Sequence, residues 1–147
     1  MTPDKYLSAE KLEKEMALLM RLLEALNRRR NYPLERSHYL LLLQVQTEAK
    51  KINDLANTLA LDGTTVTRQV TAMQQSGLVV KKADLTDRRI TWVSATDKGI
   101  KLATEMREIR IQRIDEMLKD WTTEEKEAFS GMLNRCNQSL YNRLAEI

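Results

Sequence analysis

A chain of 147 residues, 42% hydrophobic and 31% charged, is long enough for one folded domain and too apolar for a disordered one. Gly at 4 and Pro at 2, beside abundant Leu, Ala, Lys, Glu, Arg and Met, favour long helices with few turns. A single cysteine excludes an intrachain disulfide, and the densest apolar run, YLLLLQV, is too short to span a membrane. The opening MTPDKYLSAEKLEKE is polar where a secretory leader needs an apolar stretch, so the expected setting is cytoplasmic, with no membrane partner. The net charge of +3 is concentrated in one window. Residues 64–92 hold Arg68, Lys81, Lys82, Arg88 and Arg89 against Asp84 and Asp87, whereas the flanking segments carry +1 and −1. A basic island in a balanced chain points to an anionic partner at that place; the plain alternative is a solvated face.

The first element in chain order is a long helix. Leu12, Met16, Leu19, Leu23 and Leu26 recur at alternating steps of four and three, with Leu18, Leu22 and Ala25 alongside. An apolar arc so wide packs against two things, its own domain and something else. Arg28, Arg29 and Arg30 form a solvated helix end, with auxiliary phosphate contact as the alternative. Asn31-Tyr32-Pro33 ends the helix, since proline disfavours helical backbone at the residue before it. The next helix, LERSHYLLLLQVQTEA, is short, very apolar and central. His38 at its front has no ligand-spaced partners for a metal and reads as a polar residue near an interface, with an effector-pocket or pH-sensitive role as the sharper reading.

After the polar TEAKK, Asn53 is the expected cap of INDLANTLA, whose Leu55, Ala56 and Leu59 form a buried face. Asp62 caps the following helix, TTVTRQVTAMQQS, and Gly77 closes it as a C′ glycine. Two β-runs, Leu78–Lys82 and Ile90–Val93, make a hairpin, with a minor strand near Lys51-Ile52. Thr96 caps a helix that runs to Trp121. Thr122 and Glu125 match a capping box at the start of the last helix, which sets Phe129, Leu133, Cys136, Leu140 and Leu144 on one stripe. In that stripe Cys136 is a small apolar filler; a redox-sensing thiol needs exposure and a cationic neighbour.

The fourth helix carries the functional signal. Val66, Val70 and Met73 fall on one face and dock onto Leu55 and Leu59. The opposite face presents Thr64, Arg68, Thr71 and Gln75, flanked by Thr65, Thr67 and Ala72, with no acid after Asp62. Threonine is a mediocre helix former, and generic wet faces use Glu and Lys. Hydroxyls around one cation can approach a polyanion without repulsion, bonding phosphate oxygens or base edges, while arginine pairs with guanine. With INDLANTLALDG before it, this helix completes a helix-turn-helix, and the hairpin after it makes a winged helix. In KKADLTDRRITWV, the tip of that hairpin, Asp87 is expected to orient Arg89 by a charge-assisted hydrogen bond, with Arg88 a phosphate contact. The narrow, electronegative minor groove of A·T tracts attracts such an arginine.

The run GTTVTRQVTAMQQSGLVVKKADLTDRRITWVSATDKG resembles the centre of a MarR-family transcriptional regulator. The T-V-T-R helix, the G-L-V opening the wing, the D-x-x-D-R-R tip and the closing T-x-K-G carry the resemblance, and the flanking helices agree in number and order. It implies a mainly α fold with a small β-hairpin wing. Residues 34–95 would form the winged helix-turn-helix DNA-binding lobe, and residues 1–33 and 96–147 the N- and C-terminal dimerisation helices. It further implies a homodimer on a pseudo-palindromic operator in double-stranded DNA, a repressor relieved by a small-molecule effector. Site residues carried by the resemblance and the chemistry together are Thr64, Thr65, Thr67, Arg68 and Thr71 on the recognition helix, and Arg88 and Arg89 on the wing, with Asp87 orienting Arg89. Two positions depart from the family pattern: Leu85 stands where proline is usual, and Ala95-Thr96 where Leu-Thr is usual. A winged-helix protein–protein adaptor is the alternative, and it wants an apolar patch on the wing or recognition helix. An enzyme is not expected, since there is no Gly-rich phosphate loop, metal-ligand cluster or paired nucleophile and base, and no cofactor or metal is implied.

Overall fold

A computed structural model describes residues 4–147 of the chain. The chain divides into two compact units, one ending at Tyr32 and the other running from Pro33 to Ile147. In the first, a 3-10 turn (Asp4–Tyr6) leads into α1 (Leu7–Arg29). No residue of α1 is buried; Leu12, Met16, Leu18, Leu19, Leu22 and Leu23 are 41–60% exposed. The helix stops at Arg29, and Arg30 turns to extended backbone ahead of Pro33, as restriction before a proline requires.

The second unit is built around α2 (Arg36–Val45), whose Tyr39, Leu41, Leu42 and Val45 are buried. It packs on α3 (Ile52–Leu59), α4 (Gly63–Gln75), α5 (Asp97–Met117) and β3 (Thr91–Ala95). The sequence pattern extends the second helix to Ala49, but it ends at Val45. Asn53 is not a cap: α3 begins at Ile52 with Lys51 as N-cap and no side-chain cap bond. The reason is the strand before it. β1 (Lys50–Lys51) pairs antiparallel with β3, Lys50 opposite Val93 and Lys51 opposite Trp92, so the helix starts where the sheet releases the backbone. Leu55 and Ala56 are buried, while Leu59, at the helix end, is only half-buried.

α4 sets Val66, Val70 and Met73 fully into the core. Its end is a Schellman motif: Leu78 N–H donates to Met73 O at 2.9 Å, Gly77 N–H to Gln74 O at 3.0 Å, and Gly77 has φ 75°. β2 (Val79–Ala83) and β3 follow, each starting one residue later than the β-propensity pattern suggests, and the sheet order is β1-β3-β2.

The T-x-K-G run clasps this turn. Thr96 Oγ1 donates to Gly77 O at 2.6 Å and accepts from Gly99 N at 3.0 Å, while Lys98 Nζ donates to Ser76 O at 3.0 Å. Gly99 has to be glycine, because a Cβ there would lie 2.2 Å from Leu78 O. α5 ends at Met117 rather than Trp121: Trp121 N bonds Leu118 O at 2.9 Å in a separate turn. The capping box then opens α6 (Thr123–Glu146), with Glu125 N to Thr122 Oγ1 at 3.1 Å and Thr122 N to Glu125 Oε1 at 2.8 Å. No residue of α6 is buried. Tyr141 near its end donates to Thr58 O at 2.5 Å, tying α6 to the last turn of α3.

Candidate nucleic-acid interface

The turn between α3 and α4 sets the angle at which α4 is presented. Ala60 closes α3 in the left-handed region at φ 54°, and Leu61 N–H bonds back to Ala56 O at 2.9 Å. Asp62 then caps α4, its carboxylate accepting from Thr65 N at 2.6 Å. The Thr65 backbone N–H holds the Asp62 carboxyl below the usual carboxylate range, as an oriented donor favours the charged form.

Burying Val66, Val70 and Met73 turns the other face of α4 outward. Thr64, Thr67, Arg68, Ala72 and Gln75 are exposed, while Thr65 and Thr71 are half-buried. Thr71 Oγ1 donates to Thr67 O at 2.9 Å, so its hydroxyl proton is engaged and its lone pairs remain open.

The wing tip is the seven-residue loop Asp84–Ile90 between β2 and β3. Asp84 organises it: its carboxylate accepts from Trp92 Nε1 at 2.8 Å, Thr86 Oγ1 at 2.7 Å, Thr86 N at 3.1 Å and Asp87 N at 3.0 Å. The Trp92 indole N–H, followed by the Thr86 hydroxyl, drives the Asp84 carboxyl far below the ordinary range. Asp87 grips Arg89 by a two-pronged bond, Nε to Oδ1 and Nη2 to Oδ2 at 3.1 Å each, and also accepts from Arg89 N at 3.0 Å. That pair holds the Asp87 carboxyl down and the Arg89 guanidinium up. The Arg89 side chain is nevertheless 90% exposed: it is restrained in direction and open to solvent.

Helix and wing meet at an open concavity of about 1160 Å³. Thr64, Thr67, Arg68, Thr71 and Gln75 of α4 line one side, and Arg89, Ile90 and Thr91 another. Thr65, Asp87 and Arg88 lie outside its lining. The concavity also takes in Lys51, Asn53 and Asp54 around the start of α3, and Lys81 of β2. Lys81 belongs to the basic window of the sequence. Lys51 and Asn53 have no local signal, because they reach this place only through the pairing of β1 with β3. Four cations against Asp54 give the concavity a positive balance. Among the described residues no cluster of His, Cys, Asp and Glu could hold a metal ion, and no helix is long and apolar enough to cross a membrane.

Comparison with known proteins places this geometry. A family model described as a winged helix DNA-binding domain matches residues 34–99. The chain is 36% identical over 107 residues to YxaD, an uncharacterized HTH-type transcriptional regulator of Bacillus subtilis, covering 72% of this chain and 75% of that one. Among solved structures, a MarR protein from Peptoclostridium difficile superposes with a TM-score of 0.78 at 22% identity, covering 99% of this chain and 94% of that chain. The PcaV transcriptional regulator from Streptomyces coelicolor, in complex with its natural ligand, superposes with a TM-score of 0.69 at 20% identity over 95% of this chain and 99% of that one.

Proposed function

The chain belongs to the MarR family of winged helix-turn-helix transcriptional regulators, and we propose that it acts as a homodimer on a pseudo-palindromic operator in double-stranded DNA, as a cytoplasmic repressor relieved by a small-molecule effector. Residues 34–95 are the DNA-binding lobe in this reading, and residues 1–33 and 96–147 supply the dimerisation helices. α4 enters the major groove, where Arg68 pairs with a guanine edge and Thr64, Thr65, Thr67 and Thr71 contact phosphates and base edges. Arg88 contacts phosphate, and Arg89, oriented by Asp87, reaches into the adjacent minor groove.

The observation that carries this reading is the shared concavity, where the threonine and arginine face of α4 meets the restrained guanidinium of Arg89. An adaptor would want an apolar patch there, and the α4 side chains at the concavity are chiefly hydroxyl, amide and guanidinium. Pairing of two chains is supported by α1 and α6, each a long amphipathic helix without one buried residue. An effector is supported by the fold shared with PcaV, which was solved with its natural ligand. The relatives are transcriptional regulators rather than enzymes, and no catalytic role is proposed.

The test is a binding series of the wild-type chain on genomic DNA fragments at several salt concentrations. A clamp on a polyanion loses affinity linearly in log salt, by close to one unit of slope per phosphate neutralised. Absence of salt-dependent duplex binding would sink the proposal and favour the adaptor.

A further inference from the structure

The wing of this chain lacks the proline usual in its family and has Leu85 there, 91% exposed. Its tip is ordered by other means: the bonds of the loop converge on Asp84, and Trp92 holds Asp84 in turn. The indole N–H bonds Asp84 Oδ1 at 2.8 Å across eight residues of chain. Asp84 in turn holds the N–H of Asp87 at 3.0 Å, and Asp87 grips the Arg89 guanidinium. On its other side Trp92 is anchored to the far strand: it sits opposite Lys51 in register, and Lys51 Nζ lies 5.2 Å from the ring centroid. A cation over an indole face is an attractive contact. The ring is therefore pinned between β1 and the loop.

We infer that Trp92 is a positioning residue for DNA binding: through the relay Trp92–Asp84–Asp87–Arg89 it fixes where the wing guanidinium points, in the role that a tip proline would otherwise serve. The inference rests on the reading of Arg89 as a DNA contact. Its physical content is preorganisation. An arginine on a free loop loses rotamer and backbone entropy on binding, and one already held loses less.

The experiment uses the full chain and a labelled duplex selected by the wild-type protein from a random-sequence pool. Trp92→Phe keeps an aromatic side chain but removes the N–H together with the five-membered ring. Asp84→Ala cuts the same link from the other side while also releasing Thr86 and the Asp87 N–H. Trp92→Phe should weaken binding about three- to tenfold, the range for one lost hydrogen bond, with its thermal unfolding midpoint near that of wild type. Asp84→Ala should weaken binding at least as much, since it removes four accepted bonds. In an Arg89→Ala background, Trp92→Phe should have no further effect, because the group it positions is gone. A merely structural contribution would persist in that background and would overturn the inference, as would a Trp92→Phe variant that binds like wild type. Failure of Arg89→Ala to weaken binding would overturn it too. If no duplex is selected at all, the proposed function falls first and takes this with it.

Discussion

At the scale of single residues, the cations of the helix and wing differ in what they are expected to read. Arg68 stands among hydroxyls on the outward face of α4, where a base-edge contact is within the geometry of a helix in the major groove. Arg68→Ala should cost about 1–3 kcal/mol on the specific site and relax its base preference, as measured by competition with single-base variants. Arg88 lies outside the concavity, and Arg88→Ala should weaken all sequences alike and lower the salt slope by about one unit. The wing carboxylates give a pH dependence of definite sign. Asp84 is charged in the fold well below its ordinary titration range, so its stabilisation is fully present above about pH 4 and fades as pH falls below that. Asp84→Asn should flatten the decline of stability between about pH 4 and pH 2 in urea titrations, and change little of the slope near pH 7. An unaltered acid limb would show that the Trp92 and Thr86 bonds do not persist in solution.

Among the elements, most boundaries were legible because caps and amphipathic periods act within a turn or two. Asp62, Thr96 and Thr122 each accept the backbone N–H three residues on, and Gly77 closes α4 where spacing places it. The misplaced start of α3 has its origin in the sheet. Asn53 carries the right chemistry for a cap, but β1 pairing decides where α3 starts: the minor strand expected near Lys51-Ile52 falls at Lys50–Lys51, and the helix opens directly after it at Ile52. Ala60 is also silent in the sequence, since nothing distinguishes an alanine that must adopt φ 54°. A left-handed alanine costs about 1–2 kcal/mol, while glycine adds about 0.5–1 kcal/mol of unfolded-state entropy. Ala60→Gly should thus raise stability by about 0.5–1 kcal/mol in denaturant melts. A loss of stability would mean that the turn is not the strained one described.

For the whole molecule, the decisive quantity is apolar surface with nothing on it. Burying one aliphatic side chain is worth about 1.5–3 kcal/mol. Leu12, Leu18 and Leu22 of α1 and Met132, Leu140 and Leu144 of α6 are each 49% or more exposed. A second copy of the chain is the proposed cover. Leu12→Asp combined with Leu140→Asp should shift the sedimenting species from two chains to one and abolish the concentration dependence of Tm. Operator affinity should fall with it, since two half-sites are no longer linked. A wild-type chain that sediments as a monomer at high concentration would refute the dimer.

The sequence alone settled the helical class, the helix-turn-helix order, the inward and outward faces of α4 and the basic window, because each is encoded by residues within a few positions of one another. Folding in three dimensions decided the rest. It brought Lys51 and Asn53 beside Arg68 through the β1–β3 pairing, closed Trp92 onto Asp84, and joined Tyr141 to Thr58 across 83 residues. Such contacts depend on where separate elements pack, and a local pattern carries no record of which distant backbone will lie alongside it.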